Sequence, residues 1–304
     1  MDWKLIKQID VGSWKTGWIV TDNDRNVRLL VTVDKDRFCS SNGPNFCEEA
    51  RMLFNCKNKQ SEARVIDAIY ERETSAFTAR MKKLVGVTHA NLTHAYDFQF
   101  DEKNFPTAIM EYYIGEPIIT ALKRAPLPLF LAHFKQVFEA LSFIHRQGML
   151  VLHWKSKFIL TDVVSGITKI VNVWSLHTKE EIDLRQIDFN PQYAAPETIL
   201  GEPVSVKSDL YSVAMMMLES WGNDKYFNFT NSLQKKDVTE MRSDSKVATP
   251  ELGENFILNL LKKNPKDRGF ESAKEVVNYI METWPEVCKP AKDLYGKIKT
   301  TVRL

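Results

Sequence analysis

One segment in the second half of the chain constrains the fold more than any other. The sequence KSDLYSVAMMMLESWG, residues 207–222, is apolar on nearly every face from Leu210 to Leu218. A helix that is hydrophobic all round is stable only when other elements cover it on every side. The chain therefore needs a helical region large enough to enclose a central helix, and 304 residues can provide one.

A second long helix is predicted over LFLAHFKQVFEALSFIHRQG, residues 129–148. Its apolar residues recur at intervals of three and four along one stripe. These residues are Phe130, Phe134, Val137, Leu141 and Ile144. Gly148 stands where a glycine commonly ends a helix. Helical spacing also occurs in ENFILNLLKKNP and ESAKEVVNYIMETW, so the second half of the chain is predicted to be mainly helical.

The first hundred residues predict strands around one helical region. The segments LIKQIDVGSWKTGWIVTD and NVRLLVTVD favour antiparallel strands, and residues 43–87 change to helical spacing. HAYDFQF and FPTAIMEYY then predict a hairpin in which Pro106 begins the second strand, where a missing N–H does least harm. The predicted class is α+β, with a small sheet-rich part joined to a larger helical part near residues 112–115.

Composition excludes several functions as the main one. The chain is 44% hydrophobic and 26% charged, with a formal net charge of +2, so nothing favours nucleic acid or a membrane as a partner. No apolar stretch predicts a signal peptide or a transmembrane helix, which makes a cytoplasmic protein the expectation. The cysteines lack the paired spacing of a zinc site, and we expect free thiols at Cys39, Cys47, Cys56 and Cys288.

Nine short segments occur in the order of the motifs of one family. They are VGSWKTGWI, LLVTVDK, THANL, IMEYY, VLHWKSKFIL, KIVNVWSL, YAAPE, KSDLYS and NPKDR. In this order, from about Leu5 to Trp284, the chain resembles the eukaryotic-type protein kinase fold. The resemblance implies one kinase-like domain over residues 1–304, with an antiparallel-sheet N-lobe over about 1–112 and a helical C-lobe over about 116–304.

The resemblance locates a nucleotide site whose residues are altered. The loop over the phosphates keeps Gly12 and Gly17, but Trp14 replaces the central glycine, and a side chain there hinders close approach of the backbone to phosphate. The segment that would hold the adenine comprises Met110, Glu111 and Tyr113. We therefore expect binding of ATP and Mg²⁺ to be absent or weak.

The lysine and glutamate that form an ion pair in the N-lobe of this family are not found. Thr32 aligns with the strand-three lysine, and Lys35 lies about 10 Å further along the strand on the opposite face. The helix glutamate aligns with Arg80, or with Glu49 if a long insertion follows it. With either alignment, the family's Lys–Glu pair cannot form.

The catalytic loop is altered at its chemical positions. His153 aligns with the aspartate that accepts the substrate proton, and Phe158 aligns with an asparagine that ligates Mg²⁺. Asn172 aligns with the second metal ligand, so neither position holds the carboxylate that Mg²⁺ favours. Lys155 is the remnant of the family's catalytic set.

The residues that the resemblance assigns to structure are kept. Glu197 and Arg268 are predicted to form a buried ion pair, and Asp209 is predicted to brace the backbone of the catalytic loop. Structural residues present beside altered chemical residues predict a pseudokinase, which is not an enzyme. Its expected role is a scaffold or an allosteric regulator that binds a protein partner such as an active kinase.

Two other functions stay open at this point. One is a nucleotide-binding switch that transfers no phosphate. The other is an enzyme that uses His153, Lys155 and Lys35 in new roles. The partner of a scaffold would bind the helical insertion over residues 45–83 or the basic C-terminal segment, and the sequence does not choose between them.

Overall fold

The chain forms two compact units, which we describe from a computed structural model. The structure describes residues 3–9, 15–33, 59–123, 125–178, 190, 192–221 and 254–295. The first unit comprises Met1–Thr88 and Thr93–Tyr112, and the second comprises His89–Leu92 and Tyr113–Leu304.

The first unit is built on a five-stranded antiparallel sheet with the order β1-β2-β3-β5-β4. The strands are β1 (Lys4–Ile9), β2 (Thr16–Thr21), β3 (Val27–Thr32), β4 (Ala95–Phe100) and β5 (Pro106–Glu111). The predicted hairpin is confirmed, with Pro106 opposite Phe100 at the start of β5. The β-branched Val31 and the neighbouring Val33 are fully buried, which explains why this run forms a central strand.

One long helix, α1 (Lys59–Leu84), packs against β4 and β5. Its Phe77 and Met81 are fully buried, and the Phe77 ring lies 6.1 Å from the ring of Phe98 on β4. This confirms the helical prediction for the later part of residues 43–87. The earlier part, up to residue 58, lies outside the described residues.

The second unit is mainly helical, as the sequence predicts. Its helices are α2 (Ile118–Ala121), α3 (Leu127–Arg146), α4 (Pro196–Leu200), α5 (Val206–Ser220), α6 (Glu254–Leu260) and α7 (Ala273–Thr283). Its short strands are β6 (Glu116–Pro117), β7 (Met149–Leu150), β8 (Ile159–Asp162), β9 (Ile167–Ile170) and β10 (His177–Thr178). Strands β6, β8 and β9 form one sheet, and β7 pairs with β10.

The prediction for the central helix is confirmed. Every residue of α5 is buried except Val206 and Glu219, and the helix contacts α2, α3 and α6. A capping box begins the helix, because the Ser205 hydroxyl accepts from the backbone of the first turn while Ser208 accepts from the Ser205 N–H. The apolar surface of α5 is therefore the centre of the second unit.

Helix α3 packs on α7 and on β9, and it ends where the sequence predicts. Gly148 has a φ of +73°, a conformation that glycine adopts without steric strain. In the described parts of the chain, α3 is the one helix long and apolar enough to cross a membrane, and 61% of that stretch is buried inside the protein. Such burial is the pattern of a core helix.

The segment after α7 packs on the turn between β8 and β9. A Cβ atom built on Gly166 would contact the backbone N of Lys292, and Gly166 itself has a φ of +73°. The imidazole of His133, which is fully buried, bonds Thr168 Oγ1 at 2.7 Å and Tyr295 Oη at 3.1 Å. This contact joins the C-terminal segment to the interior of the unit, and burial lowers the pKa of His133 to about 4.

The two glycines test this packing. We expect Gly148→Ala to lower the free energy of unfolding by about 1 kcal/mol, because it adds only the strain of positive φ. Gly166→Ala should lower it by about 3 kcal/mol, because the new methyl group also displaces the segment at Lys292. Urea unfolding measures both values, and equal losses would show that the segment does not pack on the turn.

Candidate active site

The loop that aligns with the family's catalytic loop follows β7 and contains a strained turn. The His153 N–H donates to the Val151 carbonyl at 2.6 Å, and the residue between them, Leu152, has a φ of +54°. A side chain larger than glycine in this conformation is strained by about 1–3 kcal/mol and persists only when its surroundings hold it. The turn therefore requires a strong contact to keep its shape.

Asp209 of α5 provides that contact. Its Oδ2 accepts from the Val151 N–H at 2.9 Å and from His145 Nε2 at 3.0 Å. Its Oδ1 accepts from the Leu152 N–H and from the Trp154 indole N–H, both at 2.8 Å. The carboxylate is fully buried, and four donors match its capacity to accept hydrogen bonds. The predicted brace on the catalytic loop is present.

Trp154 also contributes to the brace, a role that the sequence did not predict. Its side chain is buried, at 1% exposure. It also donates to Asp209, so its indole N–H is part of the brace. The signal that sequence reasoning missed is general, because a buried tryptophan usually finds an acceptor for this N–H.

Three of the residues that align with the family's chemical positions lie together, with His153 and Lys155 next to the ring of Phe158. The centroids of the His153 and Phe158 rings are 5.9 Å apart, and both side chains are buried. Lys155 Nζ lies 5.8 Å from the Phe158 centroid, within reach of a weak attraction between a cation and a ring face. Phe158 thus packs the site and offers no ligand atom, while a cation and an imidazole flank it.

Among the described residues at the altered chemical positions, Asn172 has a side-chain oxygen that could bind a metal cation. It is 2% exposed, and its Oδ1 accepts no hydrogen bond in the described parts of the protein. An amide oxygen of this kind is a hard donor that suits Mg²⁺. The described residues contain no group of three or more His, Cys, Asp or Glu side chains that could hold a metal ion. Asn172 could therefore provide one ligand atom to a metal ion, and Phe158 could provide none.

The predicted ion pair between Glu197 of α4 and Arg268 is present. The guanidinium nitrogens lie 2.7 Å from both carboxylate oxygens, and both side chains are 1% exposed. Arg268 also donates to the Lys207 carbonyl, and Ser208 donates to Glu197. A buried pair of charges needs such additional hydrogen bonds to offset its desolvation. This pair fixes α4 to the start of α5.

The residues that the resemblance assigns to nucleotide binding are only partly described. Gly17 lies in β2 opposite Val31, and Met110 is fully buried in β5 opposite Leu29. Glu111 ends β5 and accepts from the His94 N–H at 3.0 Å. In the second unit, the Tyr113 hydroxyl donates to the Ile167 carbonyl at 2.9 Å. Gly12, Trp14 and Lys35 lie outside the described residues.

Thr32, which aligns with the family's strand-three lysine, has a hydroxyl that bonds to another hydroxyl. Thr32 lies opposite Thr16 and Thr107, and its Oγ1 is 2.9 Å from Thr107 Oγ1. In α1, Arg80 is 3% exposed and its Nε donates to the Ala76 carbonyl of its own helix. Glu49 lies outside the described residues. Neither Thr32 nor Arg80 can take part in the family's Lys–Glu pair.

A buried lysine next to this position was missed by sequence reasoning. Lys15 directly precedes β2 and is 8% exposed, whereas lysines are rarely buried to that degree unless they are paired. Its neighbour Thr16 lies opposite Thr32. The sequence signal was weak, because Lys15 lies within the glycine loop, where the family motif assigns no lysine.

The comparisons with known proteins decide the family. The protein kinase domain family matches residues 54–280, about three quarters of the chain. The chain belongs to the protein kinase family. An antiparallel-sheet unit followed by a helical unit is consistent with the bilobed kinase fold, so the fold class that the sequence predicts is confirmed. This family normally uses ATP and Mg²⁺.

Several curated relatives are serine/threonine-protein kinases. Serine/threonine-protein kinase 17A of Oryctolagus cuniculus is 29% identical over 51% of this chain and 41% of its own length. Serine/threonine-protein kinase A of Synechocystis is 26% identical over 66% and 42%. A probable serine/threonine-protein kinase of Clostridium acetobutylicum is 25% identical over 91% and 39%. The chain spans about two fifths of the length of these relatives.

The relatives contradict the expectation of an inactive pseudokinase. The family and the names of the relatives point to an enzyme, so the prediction of a non-catalytic scaffold is wrong. The prediction treated each altered position as a lost function. Phosphoryl transfer depends on positioning and on electrostatic stabilisation, so an altered motif position does not by itself exclude it.

The buried ion pair yields a test of stability. We expect Arg268→Ala to lower the free energy of unfolding by about 3–5 kcal/mol, because it leaves the Glu197 carboxylate buried without its partner. Lys135→Ala removes the i,i+4 pair with Glu139 on the surface of α3 and should change stability by less than about 1 kcal/mol. Denaturant unfolding compares the two variants, and a small loss for Arg268→Ala would contradict the structural role of the pair.

The indole N–H of Trp154 can be tested alone. Trp154→Phe keeps most of the apolar volume and removes the donor to Asp209, so we expect a loss of about 1.5–3 kcal/mol. Trp284→Phe, at the end of α7, is the matched control and should be nearly neutral. A loss for Trp154→Phe no greater than for the control would show that the bond to Asp209 contributes nothing.

Proposed function

We propose that the protein is a serine/threonine protein kinase that transfers the terminal phosphoryl group of ATP to a hydroxyl side chain of a protein. The observation that carries the proposal is the strained catalytic loop, which Asp209 holds through four hydrogen bonds. Protein kinases lower the barrier to this reaction mainly by positioning and by electrostatic stabilisation. A loop that is held rigidly supports both.

Lys155 is the residue proposed to stabilise charge on the transferring group. It lies on the held loop, half-buried, beside the Phe158 ring. The apolar ring lowers the local dielectric constant, so a cation next to it interacts more strongly with a phosphoryl group than in water. The family also has a lysine at this position.

His153 is the proposed acceptor of the substrate proton. In the transfer, the bond from the terminal phosphorus to the bridging oxygen breaks, the substrate oxygen bonds to phosphorus, and ADP leaves. The hydroxyl proton passes to the His153 imidazole. A positioned general base contributes roughly 10²- to 10⁴-fold to a rate. Because a neutral imidazole brings no negative charge, His153 does not supply the charge of the aspartate with which it aligns.

When Mg²⁺ is bound with the nucleotide it neutralises phosphate charge, and Asn172 is the residue proposed to hold it. With one amide ligand instead of a carboxylate and an amide, the dependence on Mg²⁺ should be weak. ATP as donor makes an intracellular location part of the proposal.

The test uses the full chain with radiolabelled ATP and a mixed serine/threonine peptide library. We expect phosphoryl transfer that falls about 100-fold in Lys155→Ala, because a charge that stabilises the transition state is lost. Lys157→Ala is the matched control. Its Nζ lies 5.7 Å from the same Phe158 ring, but the residue is exposed, and activity should stay within about twofold.

Two further measurements separate the proposed roles. His153→Ala should lower kcat with little change in the KM for ATP. Chelation of Mg²⁺ should lower the rate much less than Lys155→Ala does. Phosphoryl transfer no greater than a blank without protein, or equal activity in the Lys155 and Lys157 variants, would overturn the proposal.

A further inference from the structure

A groove lies in the second unit, apart from the catalytic loop. Helices α3 and α7 form two of its walls, and the turn at residues 89–91 forms the third, with a volume of about 390 Å³. Both helices contribute residues at intervals of three and four, Glu139, Ser142 and Arg146 from α3 and Lys274, Val277 and Met281 from α7. Each helix thus presents one continuous face to the groove.

The third wall is held firmly. Asn91 Nδ2 donates to Gln136 Oε1 at 2.7 Å and to the Thr168 carbonyl at 2.9 Å, and Asn91 is buried. The His89 ring lies 5.1 Å from the Phe143 ring and accepts from the Asn91 N–H. The turn is therefore fixed to α3 and β9, and the groove needs no rearrangement to form.

The charges of the groove favour an anion. Arg146 and Lys274 line it, and neither forms an ion pair with any residue in the described ranges. Glu139 also lines it, but the carboxylate is already paired with Lys135 at 2.9 Å. Burial lowers the pKa of His89, so the imidazole is neutral at physiological pH. The remaining charge is that of the two cations.

Helix stability does not explain Lys274. It lies in the first turn of α7, after the cap at Ser272, where the partial positive charge of the helix end disfavours a cation. Arg146 lies in the last turn of α3, where a cation is favoured, so its presence alone says little. A lysine that opposes the helix dipole and faces a groove is better explained by an anionic ligand.

The apolar residues add a second requirement on that ligand. Val277 is buried, and Met281 and Ala90 complete an apolar surface beside the two cations. A free inorganic anion would leave this surface bare, whereas a peptide could place an apolar side chain on it. The volume is in the range of sites that hold small ligands, and it is large enough for a few side chains.

We propose that this groove binds a segment of a protein partner through an anionic side chain, a phosphorylated serine or threonine or a glutamate, followed by an apolar side chain. Arg146 and Lys274 bind the anion, and Val277 and Met281 contact the apolar residue. Phosphate and carboxylate share this chemistry, and a guanidinium can bind either group through two hydrogen bonds. The proposal does not depend on phosphoryl transfer by the catalytic loop.

The test measures fluorescence anisotropy with the full chain and short labelled peptides. Their central pairs are phosphoserine-leucine, glutamate-leucine, serine-leucine and phosphoserine-glycine. We expect one or both of the leucine peptides with an anion to bind about tenfold more tightly than serine-leucine, and increasing salt should weaken that binding. Tighter binding of the phosphoserine peptide identifies phosphate as the source of the anion, and equal or tighter binding of the glutamate peptide identifies carboxylate.

Variants connect the binding to the groove. Arg146→Ala and Lys274→Ala should each weaken binding of the anionic peptide about tenfold. Lys266→Ala is the matched control, since it removes one exposed lysine in the 3₁₀ turn Pro265–Asp267 outside the groove. Circular dichroism and thermal unfolding establish that the variants fold. The proposal is overturned if the neutral peptide binds equally well, if no anionic peptide binds, or if the control weakens binding as much as Lys274→Ala.

Discussion

The hydrogen bonds to the Asp209 carboxylate are the constraint on which the second unit depends. They join three parts of the chain, because Asp209 lies on α5 and the donors come from the end of α3 and from the catalytic loop, including the indole of Trp154. The carboxylate can hold these parts in place only because its own helix, α5, is enclosed on every side. Packing around α5 thus holds the Asp209 carboxylate in place, and the carboxylate holds the catalytic loop in place. A carboxylate that is fully buried is tolerable only with its acceptor sites filled.

The ion pair between Glu197 and Arg268 depends on the same helix. Arg268 donates to the Lys207 carbonyl, and Ser208, which also completes the cap of α5, donates to Glu197. The first turn of α5 therefore serves both the helix end and the pair. The pair shows how desolvation is offset, because the backbone and a hydroxyl provide hydrogen bonds beyond those between the two charges.

The sequence predicted most of the fold, because the spacing of apolar residues can be read from one chain without knowledge of its tertiary contacts. The enclosed helix, the stop at Gly148 and the hairpin at Pro106 each follow from local rules of burial and backbone geometry. The contacts of Trp154 and Lys15 did not follow. Each depends on which residues meet across the fold, and neither periodicity nor motif position reports that a side chain is buried beside a particular acceptor or strand.

The wrong prediction of inactivity has the same origin. Motif positions show which side chains differ from those of the family, but they do not show whether the surrounding structure keeps the backbone geometry of the loop. Leu152 keeps a strained turn that a loop with no constraint on its geometry would be expected to relax. Strain of this size persists here because Asp209 binds both N–H groups that the turn presents. These hydrogen bonds fix the backbone that carries Lys155 and His153, and a fixed backbone is what the proposed phosphoryl transfer requires of these two residues.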